Sequence, residues 1–162
     1  MVETLLQVLP SVVRRVNDDL EIEVDFCESL RLYLENFDRV VIACPITTEI
    51  TDSGLRRCRP VKELPWQHRI KIIPLPFAYR WIEFLRKYQP VKQLLRREIE
   101  NADYLLFSPH GLVGDWPTVA IREAIRLRRP YVIDADVVYD DVAHVGWGRS
   151  ASWKRAIKKN FV

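Results

Sequence analysis

Asp134 and Asp136 stand one residue apart at the end of a short apolar run, YVIDAD. Two carboxylates at that spacing are hard oxygen ligands for Mg²⁺ or Mn²⁺, and either one can accept a proton from a substrate. The plainer reading, in which Asp134 caps the following turn or ties down the strand end, stays open beside it. His110, in SPHG, ends a second apolar run and suits a polar contact to a hydroxyl or a proton relay. A histidine bonded to its own loop would occupy the same position. Gly111 and Gly114 would let a ligand approach the backbone, or simply make a turn. Asp115, just before Trp116 and Pro117, is a natural N-cap for a helix.

These residues belong to one unit. Tyr104 to Phe107 and Tyr131 to Ile133 read as strands buried on both faces. The helix between them carries Ala120, Ile121, Ala124 and Ile125 on one side and Arg122, Arg126 and Arg129 on another. A strand, helix, strand crossover of this length makes the strands parallel. His110, Asp134 and Asp136 are therefore expected at one edge, outside the carboxyl-terminal ends of the strands, where open α/β sheets bind ligands.

The rest of the chain reads the same way. Leu5 to Leu9 is a strand stopped by Pro10, Val24 to Asn36 a helix, Arg39 to Cys44 a strand ended by Pro45, and Arg69 to Ile73 a strand before Pro74. Val16 to Glu23 is polar and acidic, and the stretch from Thr47 to Pro60 reads as a loop or a broken helix. Phe77, Trp81, Phe84, Leu85 and Tyr88 recur at helical spacing, Pro90 breaks or kinks that helix, and Val91, Leu94, Leu95 and Ile99 carry a second one. The expected architecture is a Rossmann-like, doubly wound, mainly parallel sheet of about five strands with helices on both faces. It would occupy residues 1–140, with 141–162 a basic tail or the start of an interdomain linker.

At 162 residues and 48% hydrophobic content the chain suits one buried core. No apolar run is long enough to cross a bilayer, and no signal-peptide layout follows Met1. A cytoplasmic chain is expected, peripheral at the inner face of the plasma membrane if it meets lipid. Cys27, Cys44 and Cys58 lie far apart without metal spacing, which points to reduced structural thiols and no metal site. The net charge of +3 hides an asymmetry: residues 1–60 hold 7 Lys+Arg against 11 Asp+Glu, and residues 61–162 hold 18 against 11. One basic surface is implied. Arg80, Trp81, Arg86 and Lys87 form a basic and aromatic cluster suited to an anionic membrane. An aromatic stripe facing the core, with arginines facing water, explains the same pattern.

The segments ADYLLFSPHG, PTVAIREAIRLRRPYV and IDAD, with VDFCESLRLYLENFDRVVIACP upstream, resemble the N-terminal, acceptor-side domain of the two-domain (GT-B) glycosyltransferases of the retaining, group 1 type. The resemblance covers nearly all of the chain through loose motifs. It implies an acceptor-binding half of a nucleotide-sugar-dependent enzyme of cell-surface or exopolysaccharide assembly, with a saccharide or lipid-linked acceptor. The nucleotide sugar would belong to a C-terminal donor domain, and this chain alone would hold no cofactor. His110, Asp134 and Asp136 would serve catalysis, and Gly111, Gly114 and Asp115 would bind the acceptor. The chain departs from the family pattern in three places. Its first glycine is Gly54, so no glycine-rich loop follows the first strand and Val12 to Glu23 must build that part of the site. No histidine ends the strand that finishes at Asp134, and no pair of glutamates has the donor-site spacing E-x7-E. Two rivals remain: a metal-dependent enzyme using the Asp134/Asp136 pair, like GT-A transferases or haloacid dehalogenase-like phosphatases, and a non-enzymatic doubly wound interaction domain. No nucleic-acid recognition motif is present.

Overall fold

The computed structural model describes residues 2–47, 57–78, 80–109 and 114–134. Its elements are β1 (Thr4–Val8), β2 (Val13–Val16), β3 (Asp19–Glu23), α1 (Val24–Asn36), β4 (Arg39–Thr47), β5 (Cys58–Pro60), β6 (Ile70–Leu75), α2 (Trp81–Asn101), β7 (Tyr104–Phe107), α3 (Trp116–Arg126) and β8 (Val132–Ile133). Single 3-10 turns at Val61–Glu63 and Gln67–Arg69 lead into β6.

The fold is α/β with a mixed, mainly parallel sheet. β6, β4, β1, β7 and β8 are mutually parallel and adjacent in that order. The sheet has eight strands rather than about five, because Val12 to Glu23 supplies two strands and Cys58–Pro60 a third where loops were expected. The first two form the β2–β3 hairpin, in which β2 runs parallel to the end of β4 and β3 also pairs antiparallel with β5. The hairpin reads poorly as strands because its exposed positions are charged. Opposite charges meet across it instead: Arg14 and Glu21 are register partners, joined by a 2.7 Å bond from Arg14 Nε to Glu21 Oε2. Asn17 takes a left-handed conformation in the turn (φ 54°), which asparagine tolerates well.

Alternation along the strands divides the core. Leu6, Val8, Val41, Ala43, Ile73, Leu75, Leu105 and Phe107 face α2 and α3. Val40, Ile42 and Cys44 face α1, with the hairpin residues Val13 and Ile22. Helices therefore lie on both faces, as parallel strands require. Cys27 and Cys44 are buried thiols and Cys58 is a half-buried one, none of them in a disulfide.

Three sequence expectations are corrected. Pro90 does not divide its helix: α2 runs unbroken from Trp81 to Asn101. Pro90 is exposed, while Val91, Leu95 and Ile99 anchor the inner face, so core contacts outweigh the lost backbone bond. Pro45 and Pro74 likewise lie inside strands. Pro45 falls between the end of β1, opposite Ala43, and the start of β2, opposite Ile46, while β6 is an edge strand whose missing N–H at Pro74 is tolerated. In α3 the inward stripe is Trp116, Val119, Ala120, Glu123 and Ala124, and Ile125 points to solvent.

α2 ends and α3 begins under specific polar ties. Trp116 is fully buried and its Nε1 donates to the Pro76 carbonyl at 2.8 Å, fixing the start of α3 against the segment after β6. Its ring lies 5.0 Å from that of Phe84 on α2. Glu123 is buried on α3 and accepts from Arg126 Nη1 at 2.5 Å, with Lys92 Nζ of α2 at 3.8 Å from the same oxygen.

An unbroken α2 makes Pro90→Ala a stabilising change. It restores one backbone donor and removes a helix-interior proline, worth up to about 3 kcal/mol. Urea unfolding should show a higher midpoint at unchanged slope; a neutral or lowered midpoint would mean that two helices meet at Pro90.

Candidate functional site

β1 is the strand at which the chain changes direction. From β1 it winds outward to β4 and β6, then returns to lay β7 on the other side of β1 and β8 beyond it. The carboxyl ends of β1 and β7 are thus neighbours with connections leaving in opposite senses, the arrangement that opens a crevice in α/β sheets. Backbone bonds close the strand ends together: Ser108 N donates to Val8 O at 3.0 Å and Asp134 N to Phe107 O at 2.9 Å. Ser108 and Asp134 are brought to the same edge, with β7 between β8 and β1 at roughly 4.8 Å per strand.

The sequence-derived candidates fare unequally. Asp134 is exposed at the end of β8. Gly114 is buried with a φ of 77°, a left-handed conformation that favours glycine at the approach to α3. Asp115 is the N-cap residue of α3, yet its carboxylate caps no backbone N–H of the helix. It accepts instead from the Thr118 hydroxyl at 2.5 Å, a tie that orients the carboxylate at the rim. His110, Gly111 and Asp136 lie outside the described residues, as do residues 141–162. Among the described residues no group of three or more His, Cys, Asp or Glu side chains is placed to hold a metal ion.

Two residues that sequence reasoning passed over join this edge. Gln7 is buried in the middle of β1, and its Oε1 has no hydrogen-bond partner. Tyr33 of α1 lies close enough to Gln7 and to Asp134 for both to act on its phenol. Burial, and secondly the Asp134 carboxylate, push the Tyr33 phenol above its ordinary value, while the Gln7 contact pulls the other way. A lone polar residue inside the apolar run LLQVL was the available signal. Gln7 and Tyr33 thus lie on the α1 side of the sheet, with Ser108 and Asp134 at the strand ends and Asp115 at the start of α3.

At α2 the basic and aromatic cluster divides. Phe84 and Tyr88 pack against the core, whereas Trp81 (59% exposed), Ile82 (65%) and Leu85 (55%) face solvent beside exposed Arg80, Arg86 and Lys87. No described helix is long and apolar enough to cross a membrane.

A cavity of about 370 Å³ lies at the opposite, amino edge, between Thr4, Arg39, His68, Arg69, Lys71 and Glu98. Two of its cations serve the fold. Arg69 donates to the carbonyls of Leu34, Phe37 and Asp38 at 2.8, 2.7 and 2.9 Å, closing the end of α1, and Lys71 binds both oxygens of Glu98 at 2.9 Å.

No protein-family model matches this chain, and no curated protein does. A solved structure, the C-terminal domain of the PF1911 hydrogenase from Pyrococcus furiosus, aligns at 15% identity over 82% of this chain and 91% of that one, with a TM-score of 0.45. That likeness is too distant to bear on activity.

Two groups near the edge make native stability depend on alkaline pH. Burial pushes the Cys44 thiol up to about 11, opposed by the backbone at Val12 and Val13, and Tyr33 is raised as well. Each holds its proton longer folded than unfolded, so its share of stability is intact below the unfolded value and falls as pH climbs toward the folded one. Denaturant midpoints should decline from about pH 9 upward, with a shallower decline in Cys44→Ala. By ring-carbon NMR, Asp134→Asn should lower the Tyr33 titration without returning it to an ordinary tyrosine, since burial remains. An unchanged Tyr33 would separate it from Asp134.

Proposed function

We propose that this chain is the acceptor-binding half of a nucleotide-sugar-dependent glycosyltransferase of the GT-B type, with a Rossmann-like, doubly wound fold. It would act in cell-surface or exopolysaccharide assembly at the cytoplasmic face of the membrane. The observation that carries the reading is the reversal of winding between β1 and β7, which puts Ser108, Asp134 and the N-terminus of α3 around one crevice. This is the segment on which the family resemblance rests.

A saccharide or lipid-linked acceptor suits that edge. Neutral hydroxyls are recognised by a few convergent polar groups on a rigid scaffold, and Asp134 with Ser108 and Asp115 offers acceptors for hydroxyl protons. Asp134 would position or deprotonate the attacking hydroxyl, with His110 and Asp136 as its partners in that role. The donor sugar and its diphosphate would be held by a C-terminal domain, whose helix dipoles and basic side chains would stabilise the leaving group. The outward apolar surface of α2 favours a lipid setting: Trp81, Ile82 and Leu85 can enter the headgroup layer while Arg80, Arg86 and Lys87 meet anionic lipid.

The isolated chain should bind no nucleotide sugar appreciably in calorimetry against a panel of nucleotide diphosphate sugars. Micromolar binding by the lone chain would overturn the acceptor-half reading in favour of a metal-dependent site at Asp134 and Asp136. In the chain joined to its donor domain, Asp134→Ala should cut turnover about 10²-fold with the fold intact. Full activity in that variant would make Asp134 a strand-end residue.

Vesicle co-sedimentation tests the lipid setting. Adhesion to anionic vesicles should be salt-sensitive, since each nearby Lys or Arg adds roughly 1 kcal/mol and charges are screened over about 10 Å at 0.1 M salt. Trp81→Ala should weaken it, and equal binding to neutral and anionic lipid would remove the membrane from the account.

A further inference from the structure

The cavity at the amino edge of the sheet is lined by charge of one dominant sign. Arg39, Arg69 and Lys71 stand there with His68, against a single carboxylate, Glu98. Lys71 neutralises that carboxylate by binding both of its oxygens. Arg39 and Arg69 immediately precede the register pair Val40 and Ile70, so the two arginines enter neighbouring parallel strands at one level, with backbones roughly 4.8 Å apart. Like charges placed this way repel. Among the described residues neither arginine has an ion-pair partner, and the adjacent carboxylate of Asp38 is engaged by the Glu3 amide at 2.8 Å.

The donors are arranged for an anion. Nε and Nη2 of Arg69 donate to the Asp38, Leu34 and Phe37 carbonyls, which leaves the two N–H groups of Nη1 without a partner among the described residues. The guanidinium is thus fixed in place with one edge unspent. Arg39 is exposed and has its whole fork unpaired among the described residues. The ends of α1 and α2 reach this edge, and the carbonyls at a helix C-terminus by themselves favour cations over anions. Here those carbonyls are taken up, by Arg69 at α1 and at α2 by Arg129, which donates to Glu100, Ala102 and Asp103.

We propose that this cavity binds a small phosphomonoester, with the phosphate held between Arg39 and Arg69. A guanidinium fork matches phosphate oxygens and keeps its charge at physiological pH, so two forks at one level make a phosphate subsite. The cavity is larger than a phosphate alone requires. At about 370 Å³ it falls in the range of small-ligand pockets, and the remainder is bounded by Val41, Ile70 and Ala102, with Thr4 and Asn101 as polar groups. That lining suits a compact body carrying hydroxyls, and the bound phosphate offsets the repulsion between the arginines. The site lies at the end of the strands away from Ser108 and Asp134, and it does not rest on the acceptor-side reading.

Amide NMR of the full chain, titrated with inorganic phosphate and with glycerol phosphate at constant ionic strength, tests the assignment. Both should give saturable shifts at Thr4 and in residues 39–41 and 68–71, with glycerol phosphate the tighter ligand. Arg39→Ala should weaken binding at least about tenfold, the loss expected for one charged hydrogen-bonding partner. Glu98→Gln should strengthen it, since that change removes the acid of the cavity and releases Lys71. Arg15→Ala takes the same charge from an exposed position on the hairpin and should leave both affinities as they are. If Arg39→Ala fails to fold, Arg39→Gln carries the same comparison. Shifts that do not saturate, shifts reproduced by chloride, or full affinity in the Arg39 variant would overturn the proposal. So would glycerol phosphate binding no more tightly than inorganic phosphate, which would reduce the cavity to a simple anion site, or acetate binding as tightly as either, which would make the ligand a carboxylate.

Discussion

β1 is hydrogen-bonded in parallel on both of its edges, to β4 from Thr4 opposite Arg39 and to β7 from Leu5 opposite Tyr104. A strand held this way has no free edge and must bury both faces, so its buried residues are apolar on both sides except at Gln7. The same demand passes to β4. Its alternate residues enter two separate clusters, one under α1 and one under α2 and α3. Helices on both faces follow from that double burial. So does the polar edge, because connections that leave neighbouring strands in opposite directions cannot close over the gap between them.

Within this frame, polar side chains act mainly as positioning ties. Arg69 closes the end of α1 by donating to three carbonyls, and Trp116 reaches the Pro76 carbonyl to fix the start of α3. Glu123 is buried between α2 and α3 with two cations on one oxygen and none on the other. Removing either cation would leave a buried carboxylate less compensated, which is costly. The crevice inherits its rigidity from these ties.

The surface divides by chemistry as well as by face. The crevice side carries acidic and neutral polar groups, whereas the α2 side carries cations around exposed apolar residues. Composition alone recorded only a basic second half. The placement of Trp81, Ile82 and Leu85 outside the core turns that excess into a surface with a direction, and it follows from Phe84, Tyr88 and Val91 having claimed the inward positions.

Long periodic segments were legible without coordinates: α1 spans Val24–Asn36 as its pattern implies, and β7 spans Tyr104–Phe107. The helix shows in apolar spacing kept over several turns, and the strand in a short apolar run bounded by Asp103 and the Ser108-Pro109 turn signal. Local punctuation was less reliable. Prolines 45, 74 and 90 read as breaks, yet each lies where a neighbour does not need its N–H or where packing outweighs the loss. The β2–β3 hairpin was illegible because its partners are charged pairs across strands, visible only once Arg14 stands opposite Glu21. For the site, the sequence by itself determined that Ser108 and Asp134 follow parallel strands and so share an edge. Only the tertiary structure decided that Tyr33 stands near both Gln7 and Asp134, since α1 must first be packed against β3 and β4 to bring residues so distant in sequence together, and that packing depends on the whole core.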